Sequence, residues 1–199
     1  MVERSEASRR AVLNATLKLL GVTGSGPGTN VQKLTIEAIA REAGVSKATI
    51  YRWWTSKAEV VFEAFVSDYL SHTSVREDLP ALDALRDHVH AVVERYAGQE
   101  GRIVAQMIAE GQYDQTVLDQ FMNGFWRGRR EAVVALIERG QVEGSIRADA
   151  DPALIATLVY APIYQRLLLR DAPLDAEFAD EIVTLALAGA GEVTSRHAL

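Results

Sequence analysis

Within the six residues 47–52, Lys47, Ala48, Thr49, Tyr51 and Arg52 set an ammonium, a hydroxyl, a phenol and a guanidinium beside a side chain small enough for close backbone approach. Lysine and arginine can donate to the O6 and N7 acceptors that guanine presents in the major groove, and hydroxyls can reach bases or phosphates. These are donors without an accompanying nucleophile and base, so they suit reading DNA rather than transforming a substrate.

Such a strip needs a helix to carry it and a second helix to brace it. Residues 35–43 read as a short amphipathic helix: Ile36, Ile39, Ala40 and Ala43 fall on one face, and Glu37, Arg41 and Glu42 on the other. Thr35 is its expected N-cap. Gly44 follows and can take the left-handed conformation that closes a helix. Ser46 is placed to cap a second helix from Lys47 to about Trp54, with Ile50 and Trp54 facing the first helix and Ala48 and Arg52 facing outward. Two helices on a tight glycine turn form a helix-turn-helix whose second member fits the major groove. Thr35, Ser46 and Lys57 are expected at phosphates, which fix the register. An ordinary helical hairpin with solvated charges is the alternative, but turn, caps and outward polar strip all agree with the DNA-reading arrangement.

The stretch AREAGVSKATIYRWWTSK closely resembles the DNA-binding signature of the TetR family of bacterial transcriptional regulators. Position by position, the resemblance implies groove contacts from Lys47, Ala48, Thr49, Tyr51 and Arg52, and phosphate contacts from Thr35, Ser46, Trp53 and Lys57. Trp53 stands where the family more often has His or Tyr, leaving an indole N–H as its only donor. More loosely, GSIRADADPALIATLVYAPIYQRLLL and Pro173-Leu174-Asp175 resemble one C-terminal type within the family. The resemblance further implies an inducer cavity in the C-terminal region, while a two-fold dimer, expected from the apolar faces of the last two helices, demands a near-palindromic double-stranded operator. Tyr69, Met107, Met122, Phe125 and Trp126 are the residues expected to line that cavity, since flexible Met beside aromatics suits an irregular organic ligand. Plain core packing is the competing reading of each of them.

The chain has 199 residues, 48% of them hydrophobic, enough for a packed core. Its net charge of −6 is segregated: residues 1–57 carry nine Lys and Arg against four acids, and residues 58–199 twelve against twenty-three. A basic head can meet phosphate while an acidic body disfavours indiscriminate wrapping of DNA. The two parts are the expected domains: 1–57 for DNA binding, and 58–199 for effector binding and dimerisation. There are no cysteines, hence no disulfide framework or thiolate metal site. Neither a signal-peptide core nor a run of eighteen uncharged apolar residues occurs, so a cytoplasmic protein outside the membrane is expected.

The rest of the sequence predicts an all-α fold of about nine helices. Residues 5–20, with Ser5 or Ser8 as cap, carry the stripe Val12, Ala15, Thr16, Leu19 and Leu20; Arg9 and Arg10 either approach the DNA backbone or stay solvated. Residues 21–34 are glycine-rich without periodicity. Gly24, Gly26 and Gly28 lack the Gly-Lys-Ser/Thr of a phosphate loop, so a flexible connector is expected, longer than the family's usual link. Further helices are expected from Ser56 to about His72, from Pro80 to an end at Gly98 and Gly101, over about 102–110, and, as one long helix, over about 115–139, where Gly124 and Gly128 would admit a neighbouring helix or a ligand. After the cap and first-turn pair Asp151-Pro152, a helix kinked at Pro162 runs to about Leu169, and another starts at Asp175 and continues through Ala190. These last two have apolar faces wide enough to need a second subunit, and Ala186, Ala188, Gly189 and Ala190 permit close approach.

Nothing in the sequence assembles a catalytic site or calls for a cofactor. His88 and His90 are two apart and point to different helix faces, while His72 and His197 stand alone. Glu77-Asp78 and Asp180-Glu181 read as solvated helix ends. Two function classes remain: a ligand-responsive repressor, and a DNA-bound regulator controlled by a protein partner.

Overall fold

The computed structural model describes residues 2–24, 28–73 and 75–188, with side chains from 6 onward except 70–72. The Ser5 and His72 side chains, Gly26, Gly189, Ala190 and His197 lie outside what is described. The elements are α1 (Val2–Leu19), α2 (Ile36–Ala43), α3 (Lys47–Tyr51), α4 (Lys57–His72), α5 (Ala81–Ala97), α6 (Gln99–Gly111), α7 (Gln115–Phe121), a π-helical turn (Met122–Trp126), α8 (Arg127–Val142), α9 (Pro152–Leu169) and α10 (Ala176–Ala188). The backbone stays helical from α7 through the π turn into α8. Counting that run as one, the described residues form nine helices and no strand.

Two compact units divide the chain: Met1–Thr73 with Gly98–Gly128, and Ser74–Ala97 with Arg129–Leu199. In the first, α1 packs on α2 and α4, and Val12, Leu20, Ile39, Ile50 and Val60 are buried. Thr16 is buried too, its hydroxyl donating to the Val12 carbonyl at 2.8 Å, so the apolar stripe of α1 hides no unpaired polar group. The rings of Phe65, Tyr69 and Phe125 pack with centroids 5.2–5.4 Å apart. In the second unit, α5, α9 and α10 bury Leu85, Val89, Val92, Val159, Ile163, Ala179 and Val183, and α8 adds Val133 and Ile137.

Several local expectations change. α3 ends at Tyr51, short of the expected Trp54, and turns carry the chain on to that buried residue. α6 begins at Gln99 with Gly98 as cap, and Gly101 is buried inside it instead of ending a helix. The long helix contains a π turn, which sets the Phe62 ring against Gly124, where a Cβ would overlap it. Gly128 has nothing within 4 Å of its Cβ position. The glycine-rich segment is not a loose connector throughout: Val31 and Leu34 are buried at its far end. α9 remains helical on both sides of Pro162.

Gly44 adopts φ 67° and ψ 30°, and no atom lies within 4 Å of where its Cβ would stand. Gly44→Ala therefore meets backbone strain alone. It is expected to lower stability by about 1–2 kcal/mol in urea unfolding, and Gly44→Asn by less.

Candidate nucleic-acid interface

The helix-turn-helix is built from its caps inward. The Thr35 hydroxyl accepts from the Ala38 amide at 3.2 Å and starts α2. At the far end, the Gly44 N–H bonds the Ala40 and Arg41 carbonyls, and Val45 N donates to the Ala40 carbonyl at 3.0 Å. Ser46 then caps α3, its hydroxyl accepting from the Thr49 amide at 3.1 Å and sharing a 2.9 Å hydrogen bond with the Thr49 hydroxyl. Capping uses acceptor capacity. The Thr35 hydroxyl can therefore still donate its O–H, and one O–H remains between Ser46 and Thr49.

With Ile50 and Trp54 buried, the remainder of α3 faces out: Lys47, Ala48 and Tyr51 are exposed, as is Arg52 at the helix end, while Thr49 is half-buried. Lys47 does not project alone. Its ammonium lies 2.8 Å from the Glu37 carboxylate in the first turn of α2. The hydrogen bond from Lys47 holds the Glu37 carboxyl below its ordinary range, and Glu37 in turn raises the lysine. Lys57 donates to the Val31 and Gln32 carbonyls at 2.8 and 3.2 Å, two of the three bonds its ammonium can make. Trp53 is 38% exposed between two guanidinium groups, Arg9 and Arg52, whose carbons sit 5.8 and 5.9 Å from its ring centroid. Arg9 also pairs with Glu63 at 2.6 Å, which ties α1 to α4.

Four further residues matter here. Glu37 restrains Lys47. Gln106 accepts from the Val31 amide at 2.7 Å and pins the segment entering the motif. Glu59 accepts from the Thr55 amide and hydroxyl at 2.6 and 2.7 Å, while Ser56 caps α4 through the Glu59 amide at 3.2 Å. Those hydrogen bonds from Thr55 keep the Glu59 carboxyl below its usual range. Glu63 accepts from the Trp54 indole at 2.8 Å. Ser56-x-x-Glu59 is a capping-box pattern visible in the sequence; Glu37 and Gln106 have no local signal.

The residues expected around an effector lie on several elements of the first unit. Tyr69, Met107 and Phe125 are buried, and Met122 and Trp126 half-buried. Tyr69 meets Phe125 edge-on at 5.2 Å. A groove of about 360 Å³ in the same unit is lined by Trp53, Trp54, Glu59, Phe62, Glu63, Val66 and Gln120, none of the five expected residues.

Residues 29–64 match the family model for bacterial regulatory proteins of the tetR family, and residues 72–186 match the tetracyclin repressor-like C-terminal domain. The chain is 28% identical over 186 residues to the uncharacterized HTH-type transcriptional regulator YdeS of Bacillus subtilis (strain 168), covering 94% of this chain and 91% of that one. Similarity to the DNA-binding transcriptional repressor TetR of Mycobacteroides abscessus is 26% over 191 residues, covering 92% and 93%. The crystal structure of the TetR family transcription regulator SCO0332 superposes with a TM-score of 0.78 at 27% identity, over 92% of this chain and 97% of that one.

Lys57 has a task even without DNA. Lys57→Ala is expected to speed amide exchange at Val31 and Leu34 by about tenfold, because losing a charge-assisted hydrogen bond costs roughly 1.5 kcal/mol. Hydrogen exchange read by mass spectrometry checks this, with α6 as the unchanged internal reference.

Proposed function

The chain belongs to the TetR family of DNA-binding transcriptional regulators, and from that premise we propose that it is a repressor, binding a near-palindromic operator as a two-fold dimer and released by a small, largely apolar effector. The observation that carries this reading is the outward strip of α3, braced by buried Ile50 and Trp54 and capped by Ser46. In this reading Lys47, Ala48, Thr49, Tyr51 and Arg52 meet base edges, and Thr35, Ser46, Trp53 and Lys57 meet phosphates. Residues 1–57 form the DNA-binding part, and residues 58–199 serve effector binding and dimerisation.

Support for the dimer comes from α9 and α10. Leu154 and Leu158 on α9 and Leu185 on α10 are 55, 44 and 69% exposed. A groove of about 280 Å³ beside them is lined in part by Leu154, Leu158, Ala186 and Leu187. Such a face is satisfied by a like face across a two-fold axis. α9 is also the one described helix long and apolar enough by composition to cross a membrane. Its buried Ile155, Val159 and Ile163 fit a core helix equally well. The dimer reading uses both faces.

Release requires that ligand binding reach α3. Thr55 and Trp54, directly after α3, are hydrogen-bonded to Glu59 and Glu63 of α4, so a shift of α4 carries the motif with it. Lowering operator occupancy tenfold needs a preference of only ~1.4 kcal/mol for the non-binding geometry. The ligand is assigned to Tyr69, Met107, Met122, Phe125 and Trp126. One observation favours the partner-controlled alternative: the Phe65, Tyr69, Phe121 and Phe125 rings pack directly on one another.

Selection from random DNA is expected to return a near-palindrome whose half-site centres lie about 34–36 Å apart or a multiple of this. Arg52→Ala should change the selected bases and weaken binding by ~1–3 kcal/mol. An asymmetric site, or a monomer in sedimentation at micromolar concentration, would contradict the dimer. Titrating apolar compounds against the operator complex then separates the two readings: release quenched by Met107→Ala supports the effector, and no release by any compound supports the partner.

A further inference from the structure

The exposed residues Leu154, Leu158, Ala161, Gln165 and Leu168 of α9 follow one another at steps of four, three, four and three. That spacing keeps all five on one side of the helix, the seam along which a second helix packs. Ala161, the smallest of them, stands at the centre, seven residues from either end. The two ends are unlike. The groove of about 280 Å³ opens beside Leu154 and Leu158, and Asp151 is in its wall. The far end instead presents Leu168, with exposed Leu169 next to it. Residues 147–151 hold one Arg against two Asp, and residues 166–171 two Arg against one Asp, so the groove end is net acidic and the far end net basic. Gln165, the polar member of the seam, donates to Asp171 at 3.1 Å within its own chain.

We propose that α9 docks on α9 of a second copy of this chain in an antiparallel crossing centred on Ala161, with the partner's Leu168 seated in the groove beside Leu154 and Leu158. This crossing rests on the two-fold dimer and fixes its geometry. Seven residues span about 10.5 Å of helix, so a two-fold axis at Ala161, perpendicular to α9, carries the partner's Leu168 over Leu154. The same operation repeats the contact on the opposite side, as an isologous interface requires. Knob meets groove at both ends, and the basic end of each helix lies over the acidic end of the other. A parallel pairing would set groove against groove, Leu168 against the partner's Leu168 and like charge against like charge, which disfavours it. At the crossing point the single methyl group of Ala161 admits a close approach of the two axes, toward the short end of the ~8–10 Å found between packed helices. The exposed leucines of both copies leave water in the same step.

The chain has no cysteine, so single-cysteine variants of the full-length protein report this geometry directly on a non-reducing gel. Ala161→Cys is expected to join two copies, by a disulfide under mild oxidation or through a short bismaleimide, since a disulfide forms when Cα atoms are about 4.4–6.8 Å apart. Leu154→Cys alone and Leu168→Cys alone should cross-link roughly tenfold more slowly or not at all, because like positions lie about 21 Å apart along the helix axes. Co-expressed Leu154→Cys and Leu168→Cys chains should instead join to each other. The dimer linked at residue 161 should bind the selected operator with unchanged affinity. Efficient cross-linking of Leu154→Cys and Leu168→Cys each to its own copy would show a parallel pairing and overturn the proposal, as would a dimer linked at residue 161 that no longer binds the operator. If Ala161→Cys is a dimer in sedimentation and neither reagent joins its copies, the crossing falls and the two-fold dimer stands. A monomer in sedimentation removes both.

Discussion

The outward strip of α3 depends on one apolar seam: Ile39 of α2 and Ile50 of α3 are buried, with Trp54 closing the end. α3 has five residues, far below the length at which a helix persists alone in water. It exists because its inner face is buried, at roughly 1.5–3 kcal/mol for each large aliphatic side chain, and because the Ser46 hydroxyl satisfies the Thr49 amide in its first turn. Loss of that seam would remove the outward strip along with the helix. The left-handed turn at Gly44 sets the angle at which the two faces meet.

Everything that determines this seam is local, so it was legible. Gly44, Ser46, Thr35 and the four-residue spacing of Ile50 and Trp54 each have one physical role, and the roles agree. Asp151-Pro152 and Asp175 likewise start α9 and α10, with the Asp151 carboxylate accepting from the Ala153 amide at 2.8 Å and Asp175 from Phe178 at 3.0 Å. Long-range features were not legible. Val31 and Leu34 sit in a stretch without periodicity, and their burial accompanies two tertiary hydrogen bonds, from the Val31 amide to Gln106 and from Lys57 to the Val31 carbonyl. The π turn at Met122–Trp126 adds less than one residue per turn to a helical pattern, which hydrophobic spacing does not resolve. Glu37 reads in the sequence only as part of the polar face of α2; ten residues separate it from Lys47, and only the Gly44 turn brings them together. The joining of residues 98–128 to the N-terminal helices in one compact unit also depends on distant contacts.

Charge and mechanics meet at the start of α4. Glu59 and Glu63 face back toward the motif, one holding Thr55, the other holding Trp54 and Arg9. These hydrogen bonds and ion pairs make the end of α3 and the first two turns of α4 a connected network. The basic N-terminal segment thus spends part of its charge internally, on Glu37 and Glu63, before any DNA arrives.

Replacing single guanines of the selected operator by 7-deazaguanine removes one major-groove acceptor and leaves the minor groove unchanged, and so measures groove reading most directly. Entry of α3 into the major groove predicts a loss of affinity at one or two symmetry-related guanines in each half-site, with no loss when inosine deletes the minor-groove amino group at the same positions. Full affinity on every 7-deazaguanine duplex, with losses confined to the inosine series, would contradict it.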